Sequence, residues 1–331
     1  MDFVDIGAVR ASRLGLGTWA MGTWMWGGAG DDASIATIRH ALELGFTTID
    51  TAPAHGRGHA EELVGRALVG RRDQAVIATE GGVVWDAAGN VGRDASRARL
   101  FRDVEDSLRR LRTDRIDIYF LHWHDPATPI EETGEALRDL LATGKIRAVG
   151  VNNFSPAHVE ALRAVVPVHA VQLPYNLFER SGERDVLPHA LRHKLGVITH
   201  GALCRGLLSG LLSGPMEERP TLVVDEVCVP GAAKRPRYGA HLRAVRRLDA
   251  LARERFGKRV AHLALRWVLD QPGMGVALWR ARRPDQLTRA AEALSFRLDP
   301  ETLRDIDRIV RGEVRDLAPP NFVVPPEAAA V

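Results

Sequence analysis

The sequence predicts an α/β fold built as a single (β/α)8 barrel, and three observations lead there. Eight short β-rich runs alternate with longer amphipathic patterns from end to end, the signature of βα units around a parallel sheet. No linker, low-complexity tract or short-period repeat divides the 331 residues, so residues 1–331 read as one domain. The first predicted strand runs into TWAMGTWMWGG, where a doubly wound sheet would carry a glycine-rich dinucleotide turn.

In chain order the predicted strands are Leu14 to Thr18, Phe46 to Asp50, Ala75 to Glu80, Ile116 to His122, Ala148 to Asn152, Ala170 to Leu173, Val197 to His200 and Val276 to Trp279. Between them, Ala33 to Leu44, Arg99 to Leu111, Pro129 to Ala142, Ser155 to Val165 and Glu183 to Leu195 carry apolar residues at three- and four-residue spacing, the period of an amphipathic helix. The stretch 208–238 is richer in Pro and Gly and reads as a long irregular connection over the barrel mouth.

Composition narrows the function classes. The formal charge is +3, from 45 basic and 42 acidic residues spread along the chain, with only a short basic cluster at Lys234, Arg235 and Arg237. That is too weak a footprint for nucleic acid. Two cysteines, Cys204 and Cys228, supply neither a disulfide framework nor a thiolate zinc site. No apolar run reaches the ~20 residues of a membrane span and no signal peptide opens the chain, so the expected setting is cytoplasmic and the expected partner a small molecule. Of the 45 basic residues 41 are Arg and four are Lys, the first being Lys145.

Barrel enzymes place their chemistry at the C-terminal ends of the strands. There the sequence sets Asp50, then His55 in the following loop, Glu80 and His122; further around come Asn152, Asn153, Gln172, Tyr175 and His200. Four ionisable groups from three consecutive strands are expected to converge. Asp50, His55, Glu80 and His122 also have the chemistry of metal ligands, but they lack the close helical spacing of a metal motif.

The segments LGLGTWAMGTWMWGG, TTIDTAPAHGRGHAEELVGRAL, SLRRLRTDRIDIYFLHWHDP, GKIRAVGVNNFSP, QLPYNLFER, GALCRGLLSG and ALWRARRPDQL together resemble the aldo-keto reductases, in particular their bacterial branch. The resemblance implies a (β/α)8 barrel that reduces carbonyls with NADPH. It also implies a catalytic Asp, Tyr, Lys and His. Asp50 and His122 match the first and last of these, whereas the Tyr position holds His55 and the Lys position holds Glu80. The remaining tyrosines, Tyr119, Tyr175 and Tyr238, offer no ready substitute.

Two carboxylates in one shielded pocket cannot both ionise cheaply. The expectation is therefore that His55, raised by Glu80, serves as the proton donor. The more negative surroundings suit a cationic centre such as an iminium or oxocarbenium.

By the same resemblance Asn153, Gln172 and Tyr175 lie at the nicotinamide, Leu203, Arg205 and Gly206 along the pyrophosphate, and Arg282, Arg283 and Gln286 at the 2′-phosphate. Departures occur at Asn152, usually Ser, at Arg280, usually Gly, and at Ala290, usually Asn; they point to weakened NADP(H) binding, with Arg280 either blocking the channel or adding a phosphate contact. His124 and His200 replace the usual Pro and Tyr. Trp19, Trp24, Trp26, Trp85 and Trp123, with His124, are expected to wall a substrate pocket. Two enzyme classes remain open, an NADPH-dependent reductase and a redox-neutral dehydratase, isomerase or cyclase, beside a binding subunit without activity.

Overall fold

The computed structural model describes residues 1–22, 30–86, 89–211 and 235–314, apart from the side chains of 205 and 235–238. Two hairpins stand outside the eight-strand pattern: β1 (Phe3–Ile6) with β2 (Val9–Ser12), and β6 (Val83–Trp85) with β7 (Val91–Arg93). The barrel strands are β3 (Leu14–Gly17), β4 (Thr48–Asp50), β5 (Val76–Gly81), β8 (Ile118–Leu121), β9 (Val149–Asn152), β10 (Ala170–Pro174), β11 (Gly196–His200) and β12 (Val276–Arg280). They close in the parallel order β3, β4, β5, β8, β9, β10, β11, β12. All eight predicted runs are strands.

The helices pack outside: α1 (Asp31–Glu43), α2 (His59–Ala67), α3 (Arg97–Leu111), α4 (Ile130–Ala142), α5 (Pro156–Arg163), α6 (Val186–Arg192), α7 (Arg235–Phe256), α8 (Val260–Leu269), α9 (Pro284–Ala291) and α10 (Pro300–Glu313). Ser96, Ser155 and Asp299 cap α3, α5 and α10 by accepting from first-turn amides, which satisfies donors that have no partner within the helix. Of the expected connection at 208–238, one end is a 3-10 turn at Cys204–Ser209 and the other is the start of α7. Residues 212–234 lie outside the described ones.

Two apolar layers follow from the two-residue period of a strand. Ala78, Ile118, Phe120, Ala148, Ala170, Ile198, Val276 and Leu278 fill the lumen, and Ile6, Val9 and Ala11 of the first hairpin join them. Ile6 lies over Gly196, where a Cβ would come within 2.7 Å of it, so the hairpin plugs the end where the strands begin. Tyr119, Leu121, Leu173 and Tyr175 belong instead to the layer shared with the helices. The same alternation turns Glu80, His122, Asn152, Gln172 and Arg280 toward the open end of the lumen, one pleat above the apolar plug.

Candidate active site

Glu80 and His122 sit at the ends of β5 and of its hydrogen-bonded neighbour β8. Both turn inward, and Glu80 Oε2 lies 2.7 Å from His122 Nδ1. The other carboxylate oxygen accepts from Asn152 Nδ2 at 2.9 Å, and the same amide nitrogen donates to Gln172 Oε1 at 2.9 Å. Gln172 in turn donates to Asp50 Oδ2 at 2.9 Å. Because β10 lies four strands from β4 in the closed order, that last bond crosses the barrel. One chain of polar contacts therefore runs His122, Glu80, Asn152, Gln172, Asp50 across the lumen.

The two carboxylates take opposite states. Burial, followed by repulsion from Glu80, pushes Asp50 well above the ordinary carboxylate range, against the opposing pull of Gln172 and Arg280. Burial also works against a charged Glu80, but the charge and hydrogen bond of His122, aided by His55 and Asn152, hold that carboxyl below its usual value. The pair thus ionises once, at Glu80, as like charges in a shielded space require.

His55 departs from the sequence expectation. Glu80 is bonded to His122, and the polar neighbour of His55 is Thr18 Oγ1, 3.4 Å from Nδ1. Burial outweighs the attraction of Glu80 and, with repulsion from His122 and Arg280, lowers the imidazole to about 3. A neutral ring replaces the expected imidazolium. Close backbone packing fixes its loop: a Cβ at Gly56 (φ +71°) would lie 2.1 Å from Gly22 O, and one at Gly22 would lie 2.6 Å from the His55 carbonyl carbon. Only glycine fits both sides of that contact.

Arg280 turns inward from β12 and lays its guanidinium 4.5 Å from the centre of the Trp19 ring, a cation–π contact. Trp19 also stacks with His55, their centres 6.3 Å apart. The pocket therefore keeps a cation near Asp50, carried by the last strand. Trp123 stacks on His122 with centres 3.8 Å apart, and His124 stacks on His158 at 4.0 Å. Trp85 ends β6 in the rim hairpin. Trp24 and Trp26 lie outside the described residues.

Tyr175 corrects a second expectation. It is fully buried in the outer layer, its ring 5.1 Å from that of Trp267 on α8 and its hydroxyl donating to Glu183 Oε1 at 2.7 Å. The pleat turns it away from the mouth, so it cannot pack beside a nicotinamide. Tyr119 faces outward for the same reason, and Lys145 pairs with Glu105 in an exposed contact.

The other residues expected at a cofactor lie on the segments that follow the barrel strands. Asn153 takes a left-handed conformation (φ 59°) and donates to His122 O at 3.3 Å, while the buried Asn152 Oδ1 has no hydrogen-bond partner among the described residues. Leu203 and Gly206 (φ 105°) belong to the 3-10 turn after β11, and the Arg205 side chain is outside the described ones. Arg282 N donates to Gln286 Oε1 at 2.8 Å, and Arg283 is exposed, its Nε 3.3 Å from Asp285. Arg282, Arg283 and Gln286 thus form one cluster where α9 begins.

The four rim residues Asp50, His55, Glu80 and His122 do not draw their ligand atoms into one metal-sized group. Among the described residues that arrangement occurs at Glu160, His189 and His193 on the outer helices, where the Arg163 guanidinium already donates to Glu160. No described helix is long and apolar enough to cross a membrane.

Sequence reasoning missed Thr18, whose hydroxyl contacts His55 Nδ1, and it read Asn152 as a departure when that side chain bridges Glu80 to Gln172. The strand pleat would have signalled both Asn152 as inward and Tyr175 as outward.

The profile of the Aldo/keto reductase family matches residues 13–311. The aldo-keto reductase YhdN of Bacillus subtilis is 47% identical over 331 residues, spanning 98% of this chain and 98% of its own. A glycerol dehydrogenase from Gluconobacter oxydans superposes with a TM-score of 0.86 at 41% identity, covering 97% of this chain and 99% of that one. An aldo/keto reductase from Klebsiella pneumoniae, solved with NADP and acetate, gives 0.70 at 30% identity, covering 95% and 94%.

Proposed function

Because the chain belongs to the aldo/keto reductase family, a family of oxidoreductases, we propose that it is an NADP(H)-binding oxidoreductase whose proton chemistry has moved from the usual Tyr and Lys to His122 and Glu80. The observation that carries this reading is the 2.7 Å contact between Glu80 Oε2 and His122 Nδ1. A carboxylate on Nδ1–H fixes the tautomer, supports positive charge on the ring and leaves Nε2 to exchange a proton with substrate. His55 plays a different part. With its pKa near 3 it stays neutral, its Nδ1 lying 3.4 Å from the Thr18 hydroxyl. A neutral imidazole N–H can polarise a carbonyl oxygen without giving up its proton.

The residues present fit a nicotinamide dinucleotide. The orphaned Asn152 Oδ1 wants an N–H donor of the kind a carboxamide offers, and Asn153 and Gln172 stand beside it. The cluster of Arg282, Arg283 and Gln286 supplies paired donors for a phosphate, and the Klebsiella pneumoniae relative binds NADP. When bound, the nicotinamide supplies hydride to a small carbonyl or iminium carbon. With a carbonyl, His122 would protonate the resulting alkoxide oxygen and Glu80 would hold the ring before and after; with an iminium, hydride alone gives the amine and the pair would orient the substrate. Trp19 and Trp123 wall the reaction from water. NADPH fluorescence on titration into the protein, with loss of the reduced-nicotinamide absorbance on adding aldehydes, tests the reading.

A redox-neutral lyase or isomerase is the second reading. It rests on the Glu80 and His122 pair being a complete acid–base unit without a hydride donor. Turnover that proceeds unchanged without nicotinamide would select it.

A further inference from the structure

Beside the dyad, the strand ends of β8, β9 and β10 open into a cleft of about 620 Å³, lined by Trp123 and Gln172 together with Arg93, His124, His158 and Arg184. Trp123 stacks on His122 and Gln172 belongs to the polar chain, so the cleft borders residues of the reacting centre, while Val171 and Leu173 of its lining belong to the outer layer. Its lining is rich in basic groups. Arg93 is fixed by donating Nη1 to His124 O at 2.9 Å, and the parallel His124 and His158 rings, 4.0 Å apart and inclined by 9°, meet the edge of Phe154. The Arg184 guanidinium makes no ion pair or hydrogen bond with any described side chain. The single acid among the described lining residues, Asp185, accepts from the Val186 amide at 2.6 Å.

We propose that this cleft binds the oxyanion end, carboxylate or phosphate, of the substrate while its carbonyl or iminium end sits at His122. Two guanidinium groups face one carboxylate there, and a guanidinium presents a planar fork suited to an oxyanion. A cation at the rim of a cleft, with no partner among the described side chains, gains from a fixed anion. The centre and the cleft therefore differ in sign: Glu80 favours developing positive charge at the reacting atom, and Arg93 with Arg184 favours negative charge a few bonds away. The proposal names the substrate class for the site read above and rests on that reading, but binding of the anion needs no turnover.

The test is calorimetric titration of the full chain with inorganic phosphate, acetate and, as a neutral control, glycerol. The expected result is binding of one or both anions and not of glycerol, weakened about tenfold or more by Arg184→Ala, the scale of a lost charge-assisted hydrogen bond. Arg184→Lys should recover part of it. A preference for phosphate over acetate, or the reverse, identifies the anion. Arg184 is exposed, so its variants should fold, which circular dichroism verifies. Loss of the phosphate signal in Arg283→Ala with none in Arg184→Ala would place the anion at the dinucleotide segment and overturn the proposal. So would equal binding by all variants, or no anion binding at all. A second arm compares glyceraldehyde with its 3-phosphate as substrates: Arg184→Ala should raise KM for the phosphorylated compound alone, with kcat unchanged. If neither aldehyde is reduced while Arg184-dependent anion binding persists, the reductase reading fails and the anion cleft stands.

Discussion

Glu80 Oε2 lies 2.7 Å from His122 Nδ1 at the ends of two paired strands, so the carboxylate of the third barrel strand addresses the histidine of the fourth. In the function proposed above, this pair carries the acid–base work. Glu80→Gln and His122→Asn should each lower turnover by about 10² or more, with substrate KM little changed. Steady-state kinetics on both variants check it, and full activity in either would remove the pair from the mechanism.

His55 is held neutral, with a pKa near 3 against an ordinary 6.5. The unfolded chain therefore binds more protons at this site between pH 6.5 and 3, so its contribution makes the protein lose stability as pH falls through that window. His55→Gln should flatten this part of the stability profile in urea melts at a series of pH values. It should also keep more activity than His55→Ala, since glutamine retains an N–H donor.

Asp50 has the opposite sign. Its pKa is raised by burial and by Glu80, so the folded protein holds a proton that the unfolded chain releases above the ordinary carboxylate range. Its contribution falls as pH rises from there toward the raised value. Asp50→Asn removes that term: the variant should gain stability on the parent as pH increases toward neutrality, and match it near pH 3. A difference in thermal midpoint that ignores pH would contradict the assignment.

The Gly22 and Gly56 contact should be intolerant of a methyl group. Gly56→Ala sets a Cβ 2.1 Å from Gly22 O in a left-handed backbone, which should cost on the order of 1–3 kcal/mol and displace His55. Chemical denaturation gives the energy. A nuclear magnetic resonance titration of the His55 ring gives the displacement, as a pKa returning toward 6.5.

Restoring the family pair tests the coupling. His55→Tyr with Glu80→Lys should create or increase reduction of simple aldehydes, because a lysine near a phenol lowers its pKa. Glu80→Lys alone should be inactive, since it leaves His122 without its carboxylate and puts a cation in its place. Initial rates with NADPH on the two variants and the parent decide it.

The barrel was legible from strand spacing alone, because each βα unit repeats one local rule. Its consequences at the rim were legible too: Asp50, Glu80 and His122 fall at strand ends, and the two-residue pleat that turns Glu80, Asn152 and Gln172 inward also turns Tyr175 outward to Trp267. Pairing within the site needed tertiary structure. His55 follows Asp50 by five residues, but its loop is fixed by backbone contact with Gly22 and its ring is held against Thr18 and Trp19, so nearness in sequence gave no contact with Glu80. The charge states needed it as well, because desolvation depends on what encloses a group from every side, and the groups that tune Asp50 and His55 come from strands up to 230 residues away, Asp50 to Arg280.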